Sequence, residues 1–268
     1  MEPITLASNT GWSSGKKTKR KQMIRRLIIL IVITFTLGFL AGLFAASIAL
    51  EKEETETVSD IVEEPAIVDE EVIEDSLPWN LTLVNFENPL PEDYAPDKLL
   101  EVDNGYVADS RIAYAAKQMI SDAFTNDGVQ IIALSAYRDY QYQQELYDNK
   151  VMRLMQETGC SLASAIETAA TVVALPGTSE HQLGMALDLV DARHVVLDES
   201  QENTPAYKWL KEHCDEYGFI VRYPNGKTEI TGIIYEPWHF RYVGKEAAKV
   251  IMEKGITLEE YLEEFYTE

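Results

Sequence analysis

Two cysteines in 268 residues, Cys160 and Cys214, are too few for a disulfide framework. Neither has a close-spaced cysteine neighbour, which excludes a cysteine-built zinc site and leaves two unpaired, partly buried thiols as the expectation. Histidine is scarce, with four in the whole chain. Basic residues are outnumbered, 23 Lys and Arg against 45 Asp and Glu, for a formal net charge of −22. That sign repels phosphates and excludes nucleic acid as a partner. Long apolar runs are nearly missing too, since only residues 27–50 form an uncharged stretch of 24 positions.

That stretch is long enough to cross a bilayer as a helix. Lys16, Lys17, Lys19, Arg20, Lys21, Arg25 and Arg26 precede it, so residues 1–26 read as a basic tail kept in the cytoplasm and 27–50 as an uncleaved anchor. A signal peptide cut near Ala45-Ala46-Ser47 is the rival, although its apolar core should be shorter. Residues 51–78 are acidic and nearly free of aromatics; self-repulsion should keep them extended as a tether. Residues 79–268 have globular composition and suffice for one well-buried core.

Within that domain, residues 184–189 alternate as a strand does. Met185, Leu187 and Leu189 share one face, and Gly184, Ala186 and Asp188 the other. The second face is nearly bare, with His181 at its entrance, so room remains between an imidazole and a carboxylate. Zinc accepts both ligand types, but this pair alone also fits a solvated strand edge. A second stretch, residues 236–243, supplies His239 in an aromatic strand, with Glu236 three residues before it. Two histidines and Asp188 make a three-ligand set with one position open for water. Glu236 is then left over as a general base. His194 and His213 fit no such pattern, and Asp191 points to the face opposite Asp188 in a regular strand.

Taken together, these stretches resemble the zinc D-Ala-D-Ala carboxypeptidases of the VanX and VanY type. Residues 179–188 match that family's Ser-x-His-x-x-Gly-x-Ala-x-Asp, and residues 236–239 match Glu-x-Trp-His. Ser135-Ala136-Tyr137-Arg138 matches its Ser-Gly-Tyr-Arg, with Ala136 replacing glycine. The resemblance covers the chain from about Asn80 onward. It implies Zn²⁺ held by His181, Asp188 and His239, with Glu236 as base. Arg138 would then grip the terminal carboxylate of a peptide or the developing oxyanion, and Ser179, Tyr137 and Trp238 would line the pocket.

The expected fold is α+β, with helices packed on one side of a small, mainly antiparallel sheet that carries the zinc, preceded by one transmembrane helix. Helices are expected over 109–123, 140–156, 161–173, 205–217, 245–253 and 257–265, and strands over 80–85, 129–133, 219–223 and 230–235. The implied activity is removal of the terminal D-Ala from peptidoglycan stem peptides at the outer face of a bacterial membrane. An L,D-carboxypeptidase acting on tetrapeptide stems is the enzymatic alternative. From another class comes an inactive, membrane-tethered wall-binding module.

Overall fold

The computed structural model describes residues 77–267. The basic tail, the 27–50 run and nearly all of the acidic segment lie outside these residues. Among the described residues no helix is long and apolar enough to cross a membrane.

A hairpin opens the regular structure. Strands β1 (Leu99–Asp103) and β2 (Tyr106–Asp109) pair antiparallel around Asn104-Gly105. Both turn residues have positive φ, 48° and 82°, as the tight hairpin turn with right-handed strand twist requires. Asp109 then caps helix α1 (Ser110–Asp127), its carboxylate accepting from the Arg111 amide. Ile112, Ala113, Ala116, Met119 and Ala123 form its buried stripe. Strand β3 (Ile131–Ser135) follows, then helices α2 (Tyr140–Thr158) and α3 (Leu162–Ala170). The remaining elements are β4 (Ala186–Asp191), α4 (Pro205–His213), β5 (Phe219–Val221), the short α5 (Thr228–Thr231), β6 (His239–Tyr242), α6 (Lys245–Lys254) and α7 (Leu258–Tyr266).

The main sheet has the order β3-β4-β6-β5, with every pairing antiparallel. Its two faces are read from the register. Leu187 faces Phe240, and Phe240 faces Val221; with Met185, Leu189 and Phe219 they pack against α1 and α4 in the main core. The other face carries Asp188 opposite His239 and, next along β6, Arg241 opposite Ile220. Ile220 on this second face packs with α6 and α7. Helices therefore cover both faces of the sheet, not one side as expected. The stretch of the second face at β4 and β6 is where the polar side chains gather.

Two expected strands are absent. Residues 80–85 begin in a single 3₁₀ turn, and their buried side chains are Leu81 and Val84, three apart rather than alternating. Their carbonyls are engaged elsewhere: Arg241 Nη2 donates to Asn80 O and Thr82 O, at 3.1 and 2.8 Å. Residues 230–235 hold the last two residues of α5 and then irregular chain instead of a strand. The Thr231 hydroxyl bonds the Ile233 backbone, and the Ile234 amide donates to Thr171 O, outside any sheet. Local side-chain bonds of this kind compete with a strand ladder.

Candidate metal centre

Asp188 and His239 are direct cross-strand partners at the centre of the sheet, so their side chains stand side by side on one face. His181 arrives from the turn preceding β4. That turn depends on Gly184, at φ +76°, where an added Cβ would sit 2.7 Å from Pro96 Cγ and 3.3 Å from the Asp109 amide nitrogen. A side chain there would have to displace Pro96. The turn is closed by the Gly184 and Arg138 amides, both donating to His181 O, at 3.1 and 3.2 Å.

His181 Nδ1 lies 2.6 Å from Ala136 O. Since a carbonyl only accepts, Nδ1 carries the proton and Nε2 offers its lone pair. His181 Nε2 is 3.3 Å from Asp188 Oδ1, and His239 Nδ1 is 3.4 Å from the same oxygen. The three ligand atoms all lie within 4.8 Å of one another. Tetrahedral coordination with zinc bonds of about 2.0–2.1 Å puts ligand atoms about 3.3 Å apart. All three residues are buried, and His181 Nε2 and Asp188 Oδ1 have no hydrogen-bond partner in the protein. Burying such atoms unsatisfied is costly, and a cation between them removes that cost. The residues therefore fit zinc.

Glu236 stands beside this group, its Oε2 3.7 Å from His239 Nδ1. In a regular strand residues three apart would diverge. Here β6 begins only at His239, and Pro237-Trp238 form a turn closed by the His239 amide on Glu236 O at 3.2 Å. The irregularity expected at Pro237 is what swings the carboxylate toward the ligands. Burial, reinforced by the neighbouring Asp188, pushes the Glu236 carboxyl up to about 8, against the pull of His239 and Arg138. Burial and then the Arg138 charge push His181 down to about 4. Burial would lower His239 as well, but the Asp188 and Glu180 carboxylates beside it win and carry it up to about 9.

These groups line a cleft of about 280 Å³. Arg138 lies in it, with a buried Nε that has no partner. Ser179 and Trp238 also line it, as expected. Tyr137 does not. Adjacent residues in extended chain point opposite ways, and Tyr137 borders a separate shallow hollow with Glu92, Tyr94 and Tyr140. Asp191 is also apart from the ligands, bound by the Arg193 amide at 2.9 Å and by its guanidinium at 3.1 Å. His194 meets Ser200, and His213 packs on Trp209. Cys160 and Cys214 are unpaired.

Several side chains in or behind the cleft were not read from sequence. Gln143 of α2 is buried, donating to Ala174 O at 2.7 Å while its Oε1 has no partner. Tyr223 packs against the His239 ring, centroids 4.8 Å apart. Lys150 and Arg153 extend the α2 wall, at a helical spacing that would have flagged a shared face. Glu180 is fully buried behind His239, between Arg222 and Arg241. Burial alone would raise its carboxyl, but the two guanidinium groups hold it well below the usual range. No local pattern distinguishes it from any acid beside a histidine.

Comparison with known proteins agrees with this geometry. Residues 106–245 match the VanY D-alanyl-D-alanine carboxypeptidase family. A D-alanyl-D-alanine carboxypeptidase of Enterococcus faecalis is 46% identical over 189 residues, 70% of this chain and 67% of the relative. Two solved VanY structures are each 44% identical over 69% of this chain. One is a D,D-pentapeptidase in complex with Zn(II), of which 99% is covered at a TM-score of 0.61; the other is VanYB in complex with D-Ala-D-Ala, 97% covered at 0.62. The LD-carboxypeptidase LdcB is 38% identical, with 69% of this chain and 87% of that one covered at a TM-score of 0.60. With a His-Asp-His group arranged to take a metal, this chain belongs to the VanY family of D-alanyl-D-alanine carboxypeptidases, which are zinc metallopeptidases.

Proposed function

We propose that this enzyme removes the terminal D-Ala from peptidoglycan stem peptides at the outer face of the membrane, held there by residues 27–50 and spaced from it by the acidic 51–78 segment. The observation that carries the reading is the convergence of His181, Asp188 and His239, with Glu236 3.7 Å from His239 Nδ1, in a cleft that also bears Arg138. His181, Asp188 and His239 would hold the zinc ion, which would supply a water of pKa about 7 and a Lewis acid for the scissile carbonyl. Glu236 is the proton acceptor for the attacking water and returns that proton to the departing amine of D-Ala. Without a cation the Glu236 carboxyl is raised to about 8; a zinc ion beside it would lower that and leave the carboxylate free to accept the proton. Arg138 supplies a fixed cation to the terminal carboxylate or to the developing oxyanion, and Ser179 and Trp238 wall the cleft.

The zinc and D-Ala-D-Ala complexes of the VanY relatives support the metal and the substrate class. Likeness to LdcB favours one second reading, an L,D-carboxypeptidase that shortens tetrapeptide stems. A tethered wall-binding module without activity would have no use for three ligands, a base and a guanidinium held in one cleft. Mass spectrometry of muropeptides after incubation with the full-length enzyme separates these readings. Pentapeptide stems should become tetrapeptides; shortening confined to tetrapeptides would establish the second reading, and unchanged stems the third.

A further inference from the structure

One buried carboxylate close to the ligands has no part in the proton transfers above. Glu180 lies between Ser179 and His181 and is 1% exposed. Its Oε1 accepts from Arg222 Nε at 2.7 Å and from Arg241 Nη1 at 2.8 Å. Both arginines are fully buried. Period two puts Arg241 on the same face of β6 as His239, and the Arg222 amide donates to His239 O at 3.1 Å. The far side of Arg222 is held by Glu259 of α7, at 2.9 and 2.6 Å, so the four charges balance. The remaining oxygen, Glu180 Oε2, lies 3.5 Å from His239 Nε2. Neither atom has a hydrogen-bond partner in the protein.

A purely structural ion cluster is satisfied through Oε1 alone and leaves this facing pair of atoms unexplained. We propose that Glu180 is a positioning residue for His239: its Oε2 accepts the Nε2–H proton, fixing the tautomer and ring angle that present Nδ1 to the metal. This mirrors His181, whose Nδ1–H is held by Ala136 O at 2.6 Å so that Nε2 faces the metal. Carboxylates in this position orient imidazole ligands and raise their basicity, and losing one typically weakens metal binding by about 10–100-fold. The inference rests on the reading that His239 holds zinc.

The test uses the full-length chain and two charge-balanced double variants, because removing Glu180 alone strands two buried arginines. Glu180→Met with Arg241→Met removes the acceptor, where glutamine would keep a carbonyl oxygen. Arg222→Gln with Glu259→Gln opens the same cluster without touching His239. Zinc affinity is read by competition with a chelator, beside thermal melting of each metal-free protein. The first pair should lose at least about tenfold in affinity, and the second should stay within about threefold. Equal affinities, or equal losses in both pairs, would overturn the proposal. Nitrogen-15 NMR of the zinc-loaded wild type decides it without any variant. His239 should show a metal-bound Nδ1 and a slowly exchanging Nε2 proton, whereas a metal-bound Nε2 or a rapidly exchanging proton there overturns it. Wild-type protein that takes up no zinc would remove the metal reading of the site itself, together with this one.

Discussion

At the scale of single residues, the site is a set of buried groups whose proton affinities the fold has displaced. Metal-free protein at pH 7 should hold protons on His239, raised to about 9, and on Glu236, raised to about 8. Zinc needs the His239 Nδ1 lone pair and repels a proton on its neighbour, so binding should release protons. The sign follows from the direction of both shifts. Affinity falls as pH drops below these values, and the release from these two groups fades above about 9, where each has already lost that proton. Isothermal titration in buffers of different ionisation enthalpy should give one to two protons released at pH 7, as a rough count from those two groups; zero release would contradict the protonation states described. Arg138→Lys keeps the charge but loses the planar fork. Its effect should be roughly tenfold or more, the worth of a hydrogen bond to a charged group. It should fall mainly on KM if the residue grips the terminal carboxylate, and mainly on kcat if it meets the oxyanion. Unchanged kinetics would remove Arg138 from the mechanism.

The convergence of His181, Asp188, His239 and Glu236 was legible because their residue types recur at short, chemically meaningful spacing. His181 and Asp188 bracket a strand with tiny side chains, and Glu236 precedes His239 across a proline. Glu180, Gln143 and Tyr223 were not, because each acquires its role from a partner far away in sequence, such as Arg241 for Glu180 and Ala174 for Gln143. Tyr137 was misplaced for the opposite reason. It lies inside a matching segment, but alternation turns it away from the cleft that Arg138 enters.

At the scale of elements, the strand that organises the site, β4, followed its alternation. Met185, Leu187 and Leu189 are core, and Asp188 is on the other face, against His239. The β1–β2 hairpin escaped notice despite Asn104-Gly105, because Leu100 is 43% exposed and β1 does not alternate. Residues 230–235 had strand-like composition, yet α5 and the Thr231 hydroxyl bonds took the segment out of the sheet. The element most sensitive to change is the turn into β4. Gly184→Ala should cost about 1–3 kcal/mol in backbone strain, plus displacement of Pro96, which its Cβ would meet at 2.7 Å. Because Gly184 separates His181 from Asp188, zinc affinity should fall along with stability. Thermal melting without metal and zinc titration check the two effects. A variant as stable as wild type would show that the turn tolerates a side chain.

At the scale of the whole molecule, charge separates the segments: a basic start, an uncharged run, an acidic stretch, then the catalytic domain. If residues 27–50 anchor the enzyme with its domain outside, protease added to intact cells should shed an active fragment cut between residues 51 and 78. Mature protein recovered already soluble, beginning near Ser47, would instead indicate a cleaved signal peptide. The measurement that bears most directly on the whole account is release of D-Ala from a synthetic stem pentapeptide by the full-length enzyme, with zinc removed by a chelator and then restored, on wild type and Glu236→Gln side by side. Wild type should release one D-Ala per stem, stop on chelation and recover with zinc. Glu236→Gln should bind a full equivalent of zinc yet turn over roughly 10²–10⁴-fold more slowly, the usual worth of a positioned general base. Release that survives chelation, or a Glu236→Gln enzyme as fast as wild type, would contradict the account.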